Sequence, residues 1–342
     1  MELIVDSSDW FTSLVRNSVT PLYRSIFWHP ELYFHSPCFD GVASAVVALD
    51  FLESHLQWRS VRLSPVNYDV KRWWVSRPLA KYAAVVDFLY HPQGRFWADH
   101  HATSPVPADL LESGRSVHPF LAFDPQAPSC ALLLQRHLAQ HFHHRNPFYD
   151  NLVRWATKID AARYETVQEA VFGDAPALRI NRALFVGGQR YAKRLVGVLR
   201  TSSLEQAAAE PTTARLFGRA RDLLLAGLAR VKERAVIDEH GIVTFDITRE
   251  GVIVERYAPY VFFPDARTGV HVSVPEEYVS RAAGAARRGR AFGPATLHTH
   301  DWYGNRHEQD ASGVDPVCGA GRANAPSYGS TAAAVVQRPC DI

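Results

Sequence analysis

Four apolar residues, Ala83-Ala84-Val85-Val86, run directly into Asp87. This short stretch limits the fold more than any other part of the chain. An apolar run without polar alternation reads as a strand buried on both faces, as in a covered parallel sheet. The carboxylate at its end is then expensive unless it is paired, hydrogen-bonded or bound to a metal.

The surroundings fit such a sheet. Leu32-Tyr33-Phe34, Trp58 to Leu63 and Phe96 to Ala98 are further strand candidates. Val42 to Leu56 reads as a helix, with Val42, Val46, Leu49 and Leu52 on one stripe. Strands separated by helices predict an α/β fold, an N-terminal parallel sheet flanked by helices. Ligands of such sheets gather beyond the C-terminal strand ends. His35, Asp87 and Asp99 stand at or just after those ends, so three distant segments are expected at one site.

The next region reads as mostly helical. Ser129 caps a helix reaching His141. Phe148 to Tyr164 carries Leu152, Trp155, Ile159 and Ala162 on an apolar face. Thr213 to Lys232 is the longest helical candidate. Near Val236 the period changes. Ala235 to Asp238 and the run from Ile242 read as a hairpin around Glu239-His240-Gly241. Tyr260 to Phe263 and Val270 to Val274 read as strands, and Glu276 to Ala286 as a helix. With 342 residues the chain has room for two domains. The expected division is an α/β domain over 1–200, a helical connector over 201–234, and a smaller α/β domain over 235–342 with a Gly/Ala-rich tail.

A net charge of +2 gives no large basic field for a long duplex, although a local patch for a short strand stays open. Cys38, Cys130, Cys318 and Cys340 show no paired spacing, against a disulfide scaffold or a structural zinc knot. No signal peptide and no apolar run long enough for a membrane span are visible, so a cytoplasmic protein is expected. An oligomer stays open.

The 16 histidines matter where they stand beside acids. His35-Ser36-Pro37-Cys38-Phe39-Asp40-Gly41 lies between a strand and a helix, where glycine permits close backbone approach and helix amides can hold a phosphate oxygen. Asp87, then Asp99-His100-His101, then Asp160 follow. Phosphoester hydrolysis needs an activated water and relief of growing negative charge, and two close divalent ions supply both. Carboxylates hold such ions and imidazoles complete the set without adding charge, a mixture suited to manganese, with magnesium, cobalt or zinc as alternatives. Three of these acids also have a plain structural use, whereas Asp87 at its buried strand is harder to dismiss. Asp40 suits a turn, Asp99 a helix cap, and Asp160 a surface pair with Lys158 or Arg163.

Taken in order, these segments resemble the DHH phosphoesterase family, named for the triplet that Asp99-His100-His101 matches. That family includes exonucleases, nanoRNases, cyclic-dinucleotide phosphodiesterases, polyphosphatases and pyrophosphatases. His35 through Gly41 with Ala43-Ser44-Ala45 resembles its first motif and Val85-Val86-Asp87 its second. Phe123 to Ser129 resembles the segment before the next helix, and Asp160 the late metal-ligand aspartate. The resemblance implies that His35 serves a first metal site and that Asp87 bridges two sites. Asp40, His100 and Asp160 would complete the second. His101 would contact the phosphate and assist chemistry, with Asp99 supporting the histidines.

Two features depart from the family. Cys38 stands where the first of two acids is usual; a thiolate suits zinc better than manganese, and a buried filler is the alternative. The second domain lacks a clear glycine-rich loop ending in histidine. Cys318-Gly319-Ala320-Gly321-Arg322 is a faint echo, in which Gly321 and Arg322 would join Gly41 in binding substrate, Arg322 through its fork of donors. The cluster His298, His300, Asp301 and His307, and Gly187-Gly188 with Arg190, are weaker candidates. The expected function is a divalent-metal-dependent phosphoesterase acting on a small phosphorylated substrate: a nucleotide, a short oligonucleotide or a dinucleotide. The rivals are a degenerate relative that binds a nucleotide without hydrolysis, and a structural protein that keeps the fold.

Overall fold

The computed structural model describes residues 29–107, 119–246 and 252–266, together with the backbone of two further strands. The chain divides into two compact units, residues 1–163 with 174–218 and residues 164–173 with 219–342.

The first unit is built on a wholly parallel five-stranded sheet. Its strands are β1 (Glu31–His35), β2 (Arg62–Val66), β3 (Ala83–Val86), β4 (Phe96–Asp99) and β5 (Leu121–Phe123), in the order β2-β1-β3-β4-β5. The period of two sends alternate residues to opposite faces. On one face Leu32, Phe34, Ala84, Val86, Phe96 and Ala98 join one core with α1 (Phe39–Ser54), α2 (Cys130–Phe142) and α3 (Asp150–Asp160). On the other, Tyr33, Ala83, Val85 and Trp97 pack with Trp74, Phe88 and Leu89. Both faces of β3 are therefore covered, as its unbroken apolar run requires. Trp74 and Trp97 are core residues whose indole N–H groups donate to the Leu89 and Phe88 carbonyls at 2.9 Å.

β2 starts four residues after the expected Trp58, because Gln57 and Ser60 adopt left-handed backbone that interrupts extension. It lies at the end of the sheet order, where Pro65 is tolerated. Ser129 caps α2 as expected, its hydroxyl accepting from the Leu132 amide. The rest of the chain adds α4 (Val167–Phe172), α5 (Pro176–Leu199), α6 (Leu204–Ala209) and α7 (Pro211–Arg234).

The second unit carries a smaller mixed sheet, in the order β6 (Val236–Ile237), β7 (Ile242–Asp246), β8 (Thr268–Val272) and β9 (Val335–Gln337). β6 and β7 form the expected antiparallel hairpin, with Gly241 in left-handed backbone at its turn. Val231, Val243, Phe245, Ala258, Tyr260 and Ala266 make its core. Tyr260 to Phe263, expected as a strand, is instead the end of the short helix α8 (Ala258–Phe262) and its capping residue Phe263. Pro259 stands in the first turn, where its missing N–H costs nothing and its φ suits a helix. The helix expected over Glu276 to Ala286 lies outside the described residues. Among the described residues, no helix is long and apolar enough to cross a membrane.

Candidate metal centre

The parallel register decides where the polar residues meet. Phe34 pairs with Val86, and Val86 with Ala98. The residues that follow, His35, Asp87 and Asp99, therefore leave three adjacent strands at one level. β1 and β3 are also the pair from which the sheet grows in opposite directions, the usual crevice of an open α/β sheet. Asp87 turns out of β3 with φ 54°, a left-handed conformation that aspartate tolerates better than most residues. Its amide still donates to the Ala98 carbonyl at 2.8 Å.

Gly41 brings the start of α1 against β1. A Cβ there would lie 2.1 Å from the His35 carbonyl oxygen, so only glycine lets the helix approach. This places Asp40, 1% exposed, in the first turn of α1 and next to the start of α2. Its carboxylate accepts from the Cys130 amide at 2.7 Å and from the Ala131 amide at 3.1 Å. Two amides of a helix N-terminus thus orient it. Asp160 comes from the last residue of α3 and is mostly buried.

His100 lies at the centre, fully buried. Its Nδ1 donates to the Ala127 carbonyl at 2.9 Å, which turns Nε2 toward the acids. Nε2 faces Asp160 at 3.3 Å, Asp87 at 3.6 Å and Asp40 at 3.7 Å. His35 Nδ1 lies 3.5 Å from Asp87 on the opposite side. Asp99 plays a different part. Its Oδ1 accepts from the His100 amide at 2.9 Å and from His101 Nδ1 at 2.6 Å, so it positions the histidines.

The electrostatics are those of crowded, desolvated acids. Burial pushes the Asp40 carboxyl up to about 6, and the neighbouring Asp160 charge adds to this. Burial also raises Asp87 well above the ordinary carboxylate range, reinforced by Asp40, Asp160 and Asp99. His35 is held neutral, its pKa lowered to about 3 by burial with His101 and His100 adding to the effect. Burial opposes protonation of His101 too, but Asp99, followed by Asp160 and Asp40, outweighs it and raises that pKa. The Cys38 thiol is pushed up by burial and by the Asp87, Asp160 and Asp40 charges.

This donor set fits a divalent cation. Among the described residues, neither His100 Nε2 nor Asp87 Oδ1 has a hydrogen-bond partner, although both are buried. Such polar atoms are costly unless something meets them. Three overlapping groups, His35-Cys38-Asp87, Asp87-His100-His101 and Asp40-His100-Asp160, each bring one ligand atom per residue within 4.8 Å of the others. These clusters are positioned to coordinate a divalent metal, and Asp87 belongs to two of them.

Every expected site residue from the first half thus comes to one place: His35, Cys38, Asp40, Gly41, Asp87, Asp99, His100, His101 and Asp160. Gly321, Arg322, His298, His300, Asp301 and His307 lie outside the described residues. Gly187 and Gly188 lie within α5, where Gly188 marks a kink. The orienting carbonyl of Ala127 and the amides of Cys130 and Ala131 were not foreseen from sequence, because backbone groups carry no residue-type signature.

The chain has structural neighbours among solved structures. A pGpG-specific phosphodiesterase, PggH, from Vibrio cholerae is 17% identical with a TM-score of 0.54, covering 71% of this chain and 78% of that one. The chain has a DHH-like fold. RecJ from Thermus thermophilus with Mn2+ is 17% identical at TM-score 0.44, covering 76% of this chain and 46% of that one. An exopolyphosphatase-related protein from Bacteroides fragilis is 12% identical at 0.38, covering 81% and 83%. Of these three, the Vibrio enzyme carries the fold comparison, and at such identity the likeness is one of fold alone. No family model matches the chain, and no curated protein matches it at a significant level.

Proposed function

We propose that this chain is a divalent-metal-dependent phosphoesterase acting on a small phosphorylated substrate, with a short linear dinucleotide first among candidates. The observation that carries this reading is the convergence of Asp40, Asp87 and Asp160 on His100 Nε2, which has no hydrogen bond among the described residues. A divalent cation held by Asp40, His100 and Asp160 would supply an activated water and neutralise charge on a phosphoryl group. Manganese suits the oxygen-rich ligands, with magnesium, cobalt or zinc as alternatives. Asp99 fixes His101 through Nδ1 and favours its protonated form, so His101 can grip a phosphate oxygen and give a proton to the leaving oxygen. The fold shared with a dinucleotide phosphodiesterase supports the choice of substrate. On this reading residues 1–200 are catalytic, 201–234 connect, and 235–342 bind substrate through Gly321 and Arg322, in a cytoplasmic protein.

The test is turnover by the full chain, stripped of metal and resupplied with Mn2+, Mg2+, Co2+ or Zn2+. The panel is mono-, di- and oligonucleotides, cyclic dinucleotides, pyrophosphate and polyphosphate. Metal-dependent release from a dinucleotide is the expected result. No product from any substrate with any metal would sink the enzyme and leave a nucleotide-binding protein. His101→Ala should lower turnover by about 10²–10⁴-fold while metal occupancy stays constant. Loss of metal would make His101 a ligand instead.

A further inference from the structure

Cys38 is half-buried in the turn between β1 and α1, and it is the one sulfur donor in the three ligand groups. It joins His35 and Asp87, with ligand atoms within 4.8 Å of one another. The group Asp40-His100-Asp160 offers two carboxylates and one imidazole. Asp87 stands between them, 3.5 Å from His35 Nδ1 by one oxygen and 3.6 Å from His100 Nε2 by the other. Asp87 Oδ1 is buried and accepts no hydrogen bond among the described residues.

The two ends of this centre therefore differ in chemical softness. Thiolate ligands favour zinc and cobalt over manganese and magnesium, whereas carboxylate-rich groups accept the harder ions. We infer that Cys38 makes the centre asymmetric, a thiolate-bearing site at His35-Cys38-Asp87 for a borderline-soft cation beside an oxygen-rich site at Asp40-His100-Asp160 for a harder one. This rests on the metal-dependent reading above and adds which ion each side prefers. Binding at the first site transfers the Cys38 proton to solvent and forms a metal–sulfur bond, with no change of oxidation state.

Cobalt reports the difference directly, because a thiolate ligand gives it a near-ultraviolet charge-transfer band and oxygen or nitrogen ligands do not. Metal-free full-length protein titrated with Co2+ should develop that band. Cys38→Ser should remove it, Cys130→Ala should retain it, and Zn2+ should erase it far more readily than Mn2+. Cys38→Asp should lower the preference of the protein for Zn2+ over Mn2+ by about tenfold or more, measured by calorimetric competition. Cobalt bound with weak visible bands, and spectra unchanged by Cys38→Ser, would overturn the role of Cys38 while leaving the metal centre standing. No cobalt binding at all would overturn both this inference and the metal-dependent reading.

Discussion

The bodies of β1, β3 and β4 and their C-terminal ends are equally buried, yet they obey opposite rules. Phe34, Val86 and Ala98 are fully buried in an apolar core shared with helices α1, α2, α3, α5 and α6. One residue further along, His35, Asp87 and Asp99 are almost as inaccessible, but they carry charge and lone pairs into the same low-dielectric region. The first set stabilises the fold by leaving water. The second gains little from leaving water, and it leaves Asp87 Oδ1 and Asp99 Oδ2 buried without a hydrogen bond among the described residues. Stability and function are thus separated by a single residue step along each strand, with the parallel register keeping the step level across the sheet.

Asp87→Asn is the strongest way to break that comparison. Asparagine tolerates the left-handed backbone at this position and keeps the side-chain shape, but it removes the charge. Cation binding should fall by well over the ~10–100-fold that loss of an outer partner of a metal costs, and turnover should nearly vanish. The metal-free protein should meanwhile become more stable, because a crowded acid is gone. Thermal unfolding with and without Mn2+ reads both effects. A variant less stable without metal would show that Asp87 is structural. Phe34→Ala, one strand over and one residue back, should do the reverse. It should cost about 3–5 kcal/mol of stability through lost burial and a cavity, with cation affinity per folded molecule little changed. Denaturant titration beside calorimetry checks it, and a large affinity loss would mean that core and centre are coupled.

The sequence shows this step because its two sides need different residue types. An apolar run ending in an acid marks both the strand and the place where packing stops, as Val85-Val86-Asp87 does. The loop from His35 to Gly41 is legible for a similar reason, since a glycine before a helix implies a close approach. The orientation of the site is harder to read. Asp40 is aimed by amides some ninety positions away, and His100 by the carbonyl of Ala127, so chain topology supplies those partners. Asp160 falls at the end of α3, where helical periodicity does not say which way the last side chain turns. The misreading at Tyr260 to Phe263 has another cause. A four-residue apolar run suits a strand or a helix equally, and Pro259 before it tips the balance.

The pH dependence of stability offers a smaller effect but a sharper sign. Asp87 has a folded pKa well above the ordinary carboxylate value, so the folded chain keeps a proton that the unfolded chain loses. Its contribution to stability therefore declines as pH rises. Asp40 acts the same way, between 3.8 and about 6. His35 opposes them, because its folded pKa is lowered from 6.5 to about 3; its contribution is present above 6.5 and is lost as pH falls. His101 is raised from 6.5, so its stabilisation is complete below that value and is lost as pH rises through the folded pKa. Well above pH 6.5, Asp40 and His35 have finished changing, and the remaining dependence comes from Asp87 and His101, which both act downward. Metal-free protein should therefore lose stability as pH rises above neutrality, through Asp87 and His101. Saturating Mn2+ should flatten the profile, because a bound cation takes the place of the proton on Asp87. A metal-free protein whose stability did not fall over this range would mean that neither Asp87 nor His101 keeps in the fold a proton that the unfolded chain has lost, and that the polar strand ends are neutralised in some other way.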